Sequence, residues 1–169
     1  MKYTTLGKTG LSVSNLSLGA SALGSVFHEI DESEGIRAVH AALDAGINYI
    51  DVAPAYGATR AETVLGRALH GIDRSRYHLS TKVGKQTLPG PAGENIFDYS
   101  EEGIRQSLRQ SMERLGVNYF DIVHLHDFDY NHKFNADIAL TEGVAALRLL
   151  KDEGVIGAVG AGIYPMDLW

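Results

Sequence analysis

Cysteine is absent from the 169-residue sequence, which excludes a disulfide framework, a thiolate nucleophile and a Cys-ligated metal, and is compatible with a reducing compartment. No stretch approaches the roughly 18 uninterrupted apolar residues of a membrane helix. The opening MKYTTLGKTG lacks the apolar region of a secretory leader. A soluble, cytoplasmic protein without membrane partners is the expectation, and in that setting the sequon Asn15-Leu-Ser17 is incidental. Basic charge is also in short supply. Against 21 acidic residues stand 15 Lys and Arg, a net charge of −6, and no basic cluster forms the face that nucleic acid requires. What remains is ordinary for a globular protein, 44% apolar and 21% charged, at a length that suits a single domain over 1–169.

Punctuation by glycine and acid divides the chain. Tyr3 to Leu6, a turn on Gly7-Lys-Thr-Gly10 and alternation through Val13 read as a β-hairpin, followed by a strand at Leu16-Ser-Leu18 that Gly19 ends. Glu32, Ser33 and Glu34 then open a helix carrying Ile36, Val39 and Leu43, closed at Gly46. A strand over Tyr49 to Val52 follows, and a helix from about Arg60 to Leu69. Tyr77 to Val83 is strand-like, and Gly84 to Tyr99 reads as a long Gly- and Pro-rich loop, functional or mobile. Ser100 caps a helix with Ile104, Leu108, Met112 and Leu115 on one face, which Gly116 stops. Phe120 to Leu125 is a strand, a helix holds Val144, Leu147 and Leu150 up to Gly154, and Ile156 to Ile163 is a last apolar run.

Strands alternating with amphipathic helices predict a parallel α/β sheet with right-handed crossovers, either open and doubly wound or a (β/α) barrel. The dinucleotide fingerprint of the doubly wound alternative is weak here, since Gly19-Ala-Ser-Ala-Leu-Gly24 has only the outer glycines.

Asp51, Lys82 and His126 are polar residues at the carboxyl ends of three different strands, the end where α/β active sites are built. They are separated by 31 and 44 residues, about one βα unit each. Tyr56 lies five positions past Asp51, with Pro54 to stiffen the turn and Gly57 to keep the chain clear of the ring. An acid, a lysine, a histidine and a tyrosine around one point suit carbonyl reduction, in which negative charge developing on oxygen must be stabilised and protonated. Tyr56 is the candidate acid, and a Lys82 ammonium beside it favours the phenolate. Asp51 pairs with Lys82 and offsets the cost of burying it. His126 donates to the carbonyl oxygen. Hydride lies beyond side-chain chemistry, so a nicotinamide is implied. The bland alternatives are a turn-forming Asp, an exposed Lys and a core histidine; His124 and His126, two apart, also raise a metal, though no third ligand accompanies them.

The segments LGKTGLSVSNLSLGAS, Gly46-Ile-Asn-Tyr-Ile-Asp-Val-Ala-Pro-Ala-Tyr-Gly57, Ser80-Thr-Lys-Val-Gly84, Arg114-Leu-Gly-Val-Asn-Tyr-Phe-Asp121 and the following Ile-Val-His-Leu-His126 resemble the amino-terminal part of an aldo-keto reductase. The resemblance implies an incomplete (β/α) TIM-type barrel: a hairpin, five strands and four helices. It implies catalytic roles for Tyr56, Asp51, Lys82 and His126, contacts with NADP or NAD through Gly19, Ala20, Ser21 and Asp51, and a small carbonyl or sugar substrate. Phe97-Asp-Tyr-Ser100, His124-Leu-His-Asp127 and Gly160-Ala-Gly-Ile163 resemble the branch of sugar dehydrogenases that oxidise L-galactose, L-fucose or D-threo-aldoses to lactones, where Tyr56 acts as base. Gly160-Ala-Gly stands where many relatives carry Ser-Asn against the nicotinamide amide.

A closed barrel of this kind needs about 250 residues, so the expectation is a chain that stops before the last three βα units, which carry the groups gripping the cofactor. Open barrel edges then invite self-association or a complementing chain. Three readings follow: an oxidoreductase region inactive in isolation, an enzyme completed by pairing two chains, and a non-catalytic binding or regulatory module.

Overall fold

The structure, a computed structural model, describes residues 1–90, 93–129 and 133–164. Strands β1 (Tyr3–Thr5) and β2 (Ser12–Ser14) form the expected antiparallel hairpin, with Gly7 and Gly10 at positive φ in its turn. Asn48 ties it down, its Oδ1 accepting from Ser14 N at 2.7 Å and its Nδ2 donating to Ser12 O at 2.9 Å. The hairpin thus sits against the amino-terminal end of the main sheet, away from the strand ends that carry the candidate site.

That sheet has five parallel strands, β3 (Leu18–Gly19), β4 (Tyr49–Asp51), β5 (His78–Val83), β8 (Phe120–His126) and β9 (Ile156–Gly162). They are hydrogen-bonded in chain order. A doubly wound sheet reverses its strand order at a switch point, and no reversal occurs among the described residues. The architecture is the TIM-barrel type, the first four strands leading in turn to helices on the outer face: α1 (Glu32–Asp44), α2 (Arg60–Leu69), α3 (Glu101–Leu115), then α4 (Lys133–Ile138) and α5 (Val144–Asp152) together after β8.

Local chemistry explains the boundaries. Asp31 accepts from Glu34 N and Ser100 Oγ accepts from Gly103 N, which caps α1 and α3. Gly116 ends α3 in the left-handed conformation. The apolar faces of the helices, Val39 and Leu43, Val64 and Leu65, Leu108 and Leu115, Leu147 and Leu150, are buried against Ile50, Leu79, Val123 and Leu125 of the sheet.

Three segments differ from the sequence reading. The strand expected over Leu16-Ser-Leu18 with Gly19 as its stop is Leu18–Gly19 instead, and Leu16 lies outside it, exposed to solvent. The expected loop between Gly84 and Tyr99 contains an antiparallel hairpin, β6 (Lys85–Thr87) with β7 (Asn95–Phe97), because Gln86 and Thr87 find partners in Ile96 and Asn95; Pro91 and Ala92 lie outside the described residues. The helix after β8 starts earlier than expected and passes through a π-turn over Ala139–Gly143. Thr141 Oγ1 bonds back to Asp137 O at 2.6 Å there, a competitor for the regular helical ladder.

Candidate active site

The parallel register brings the four candidate side chains together. Asp51 is paired with Ser80 in β5 and with Gly19 in β3, and Lys82 with His124 in β8. Side chains two residues apart share a face, so Tyr49, Asp51, Ser80, Lys82, His124 and His126 all project into the barrel interior. Glycines on the neighbouring strand give them room. A Cβ at Gly160 would collide with the His124 ring, and one at Gly162 would stand 3.4 Å from Lys82 Cδ and Cε. Of the two, Gly160 is required by the bulk of the His124 ring, whereas a side chain at Gly162 would meet Lys82 at ordinary contact distance.

Lys82 Nζ donates to Asp51 Oδ2 at 2.5 Å and to Val52 O at 3.1 Å. The lysine side chain is 9% exposed and the aspartate 28%, so the pair is shielded from most solvent screening. Burial works against the Lys82 charge, but the Asp51 carboxylate and the Tyr56 hydroxyl outweigh it and hold the ammonium above its ordinary value. The ammonium lies 4.9 Å from the centroid of the Tyr56 ring.

Tyr56 reaches the mouth on a turn with unusual backbone. Tyr56 N donates to Ala53 O at 3.1 Å and Thr59 N to Pro54 O at 2.8 Å, and Gly57, Ala58 and Thr59 all have positive φ. Strain of this kind persists where surrounding packing enforces it. The packing partner is the short 3-10 helix Ala20–Gly24, where a Cβ on Gly24 would stand 2.6 Å from Tyr56 O. Gly57 is required for the same approach, since a Cβ there would collide with the Gly24 carbonyl. Its expected task of clearing the Tyr56 ring is therefore replaced by one of seating two backbones. The same 3-10 helix follows Gly19 directly, where a dinucleotide fingerprint would open a full α-helix.

His126 packs edge-on against Tyr56, with ring centroids 5.8 Å apart and planes at 89°. Burial pushes its imidazole down to about 4, helped by Lys82 and Lys85 and opposed by Asp127. It is neutral at pH 7 and can donate one hydrogen bond without bringing charge. Tyr99 OH donates to His126 O at 2.5 Å and fixes the backbone there. His124 is also held low by burial. Nδ1 of each histidine is buried without a hydrogen-bond partner among the described residues. Among those residues no group of three or more His, Asp or Glu can hold a metal ion.

Gly19 ends β3 opposite Asp51 and is exposed, with nothing within 4 Å of where a Cβ would stand, whereas Ala20 and Ser21 begin the 3-10 helix and Ala20 is buried in the core. Sequence reasoning missed Ser80, whose Oγ donates to Asp51 Oδ1 at 2.6 Å. Its signal is spacing, two residues before Lys82 on the same face. An ammonium–carboxylate pair under a phenol, with a neutral imidazole alongside, can exchange a proton with an oxygen and stabilise charge on it.

Residues 15–168 match the Aldo/keto reductase family. The chain is 38% identical to L-galactose dehydrogenase of Arabidopsis thaliana, over 100% of this chain and 50% of that protein. It is 35% identical to D-threo-aldose 1-dehydrogenase of a Pseudomonas species, over 94% of this chain and 52% of that protein. Among solved structures, an aldo-keto reductase of Bacillus halodurans in its holo form superposes with a TM-score of 0.84 at 33% identity, covering 99% of this chain and 52% of that one. The chain thus spans about half the length of the curated relatives it matches. With the sequential parallel sheet and its polar strand ends, these matches establish that the chain belongs to the aldo/keto reductase family.

Proposed function

We propose that the protein is an NAD(P)-dependent oxidoreductase that moves hydride between a nicotinamide and an aldose or another small carbonyl or alcohol, working as a single domain in the cytoplasm. The observation that carries this reading is the buried Lys82–Asp51 pair set against Tyr56, with neutral His126 across the ring.

The residues suit a nicotinamide. Gly19 leaves its backbone open to a flat ring, Asp51 stands opposite it in register, and His126 keeps a nitrogen unpartnered. When bound, the nicotinamide supplies or takes up the hydride. Everything else falls to the chain. In reduction, Tyr56 gives its proton to the carbonyl oxygen, and the Lys82 ammonium stabilises the negative charge left on the phenol oxygen. Asp51 holds that ammonium in place. His126 donates to the same carbonyl oxygen and orients it, and because it is neutral it does not compete with Tyr56 as the acid. In oxidation Tyr56 takes the hydroxyl proton instead. The resemblance to L-galactose and D-threo-aldose dehydrogenases favours free aldoses as substrates.

Steady-state assays with NAD+ and NADP+ across a panel of aldoses test the reading, with Tyr56→Phe as the control. The variant should lose about 10³-fold in kcat while its cofactor affinity, read by nicotinamide fluorescence, stays unchanged. Turnover that survives in Tyr56→Phe would refute it, whereas a parent that binds NAD(P)H but turns over no aldose or small carbonyl would point to an oxidoreductase region inactive in isolation. Self-association through the sheet edges belongs to the same proposal.

A further inference from the structure

Behind the Asp51–Lys82 pair stand two hydroxyls that the proton transfer does not use. Tyr49 lies two residues before Asp51 on β4, and Ser80 two residues before Lys82 on β5, so all four side chains share one face. The register sets Asp51 opposite Ser80 and Tyr49 one step lower, opposite His78. Tyr49 OH donates to Ser80 Oγ at 3.0 Å, Ser80 Oγ donates to Asp51 Oδ1 at 2.6 Å, and Asp51 Oδ2 accepts from Lys82 Nζ at 2.5 Å. A serine has one proton to give. Its other acceptor, Ile50 O, is farther away at 3.4 Å, and the proton received from Tyr49 leaves the serine's own free for the carboxylate. Ser80 is fully buried. Burial also pushes the Tyr49 phenol up, so it stays a donor.

The carboxylate needs this support because its own torsion does not fix it. Rotation about the terminal bond of an aspartate is broad, and the Asp51 side chain is 28% exposed. With no donor on Oδ1, the group can turn toward water and away from the amine. We propose that Ser80 and Tyr49 are positioning residues, a hydroxyl relay that locks the plane of the Asp51 carboxylate so that one oxygen stays on Lys82. This inference deepens the proposed function and rests on its assignment of Asp51, Lys82 and Tyr56.

The titration of the Lys82 ε-carbon in 13C-lysine-labelled protein reads the relay directly and requires no turnover. Its resonance is identified by its loss in Lys82→Arg. The titratable groups facing the amine are Tyr49 and Asp51 from β4, Tyr56 from the following turn, and His124 and His126 from β8, the Tyr49 phenol pushed up and both histidines held low by burial. Asp51→Asn sets the scale, lowering the midpoint by about 1–3 units as the partner charge goes. Ser80→Ala should lower it by about 1 unit and Tyr49→Phe by about half as much, on the scale of a partner charge partly lost. Ser80→Thr, which keeps the hydroxyl, should restore the parent value. The double variant Tyr49→Phe, Ser80→Ala should match Ser80→Ala alone, because Tyr49 acts through Ser80. A parent midpoint in both Ser80→Ala and Tyr49→Phe, beside a lowered one in Asp51→Asn, overturns the relay and leaves the oxidoreductase reading standing. An unchanged midpoint in Asp51→Asn overturns both. The predicted series upholds the relay whether or not the isolated chain turns over.

Discussion

His126, which the proposed function assigns to orienting the carbonyl, burdens stability by its burial. Its ring is buried in a position that disfavours the imidazolium, so the native protein binds that proton only near pH 4 whereas the unfolded chain binds it near the ordinary 6.5. A depressed value means that its contribution to stability is complete above about pH 6.5 and is lost as pH falls through 4. The difference corresponds to about 3 kcal/mol. Urea unfolding of the parent should therefore weaken from pH 7 to pH 4, and His126→Gln should flatten part of that decline. His124 shifts in the same direction and retains a share of it. Parallel pH profiles for parent and variant would show that His126 does not resist protonation in the folded state. In the proposed mechanism the same resistance keeps the imidazole neutral while Tyr56 exchanges the proton.

At the scale of elements, the strand ends are aligned by helices that are themselves pinned by a buried charge. Glu62 on α2 is 0% exposed, accepts from Thr81 Oγ1 of β5 at 2.8 Å and from Arg114 Nε of α3 at 2.7 Å, and so joins two helices to the strand that carries Lys82. Truncating Arg114 to Ala would leave a carboxylate buried with only a hydroxyl, at a cost of about 3–5 kcal/mol. The midpoint in urea at pH 7 should fall accordingly, and a loss below about 1 kcal/mol, the worth of an exposed pair, would place Glu62 in contact with water. Nothing local in the sequence announces this tie, since Glu62 reads as an ordinary acid in the first turn of a helix and its partner lies 52 residues away. Periodicity and caps did reveal α1, α2 and α3, because Asp31, Ser100 and Gly116 act on their own helices. The strand ends marked Asp51, Lys82 and His126 as candidates because charged or imidazole side chains are unusual at the ends of otherwise apolar parallel strands. Ser80 escaped notice, as a small hydroxyl is unremarkable in any strand. Gly24 and Gly57 serve a contact between two turns distant in sequence, which spacing does not encode.

For the whole molecule, the decisive feature is a sheet whose strands follow chain order from β3 to β9 and which among the described residues ends at those two strands. The difference between an inner and an edge strand is visible in their burial. Nearly every residue of β8 is buried, whereas β9 is mostly half-exposed. An edge strand presents unpaired amide and carbonyl groups that can hydrogen-bond to another chain, and soluble proteins guard such edges with charge, proline or bulges. The run Ile156–Gly162 has none of these protections. Its side chains are small, uncharged and without proline, so a second copy can pair along it. Light scattering of the 169-residue chain should show an average mass that rises with concentration. Val159, 36% exposed on this strand, is the place to interrupt that pairing: Val159→Lys puts a charge against the incoming backbone while leaving Lys82, Asp51 and Tyr56 untouched. The variant should remain monomeric at concentrations where the parent associates. A monomeric mass for the parent at every concentration would show that β9 does not serve as a pairing edge. Association that persists unchanged in Val159→Lys would place the contact on another surface.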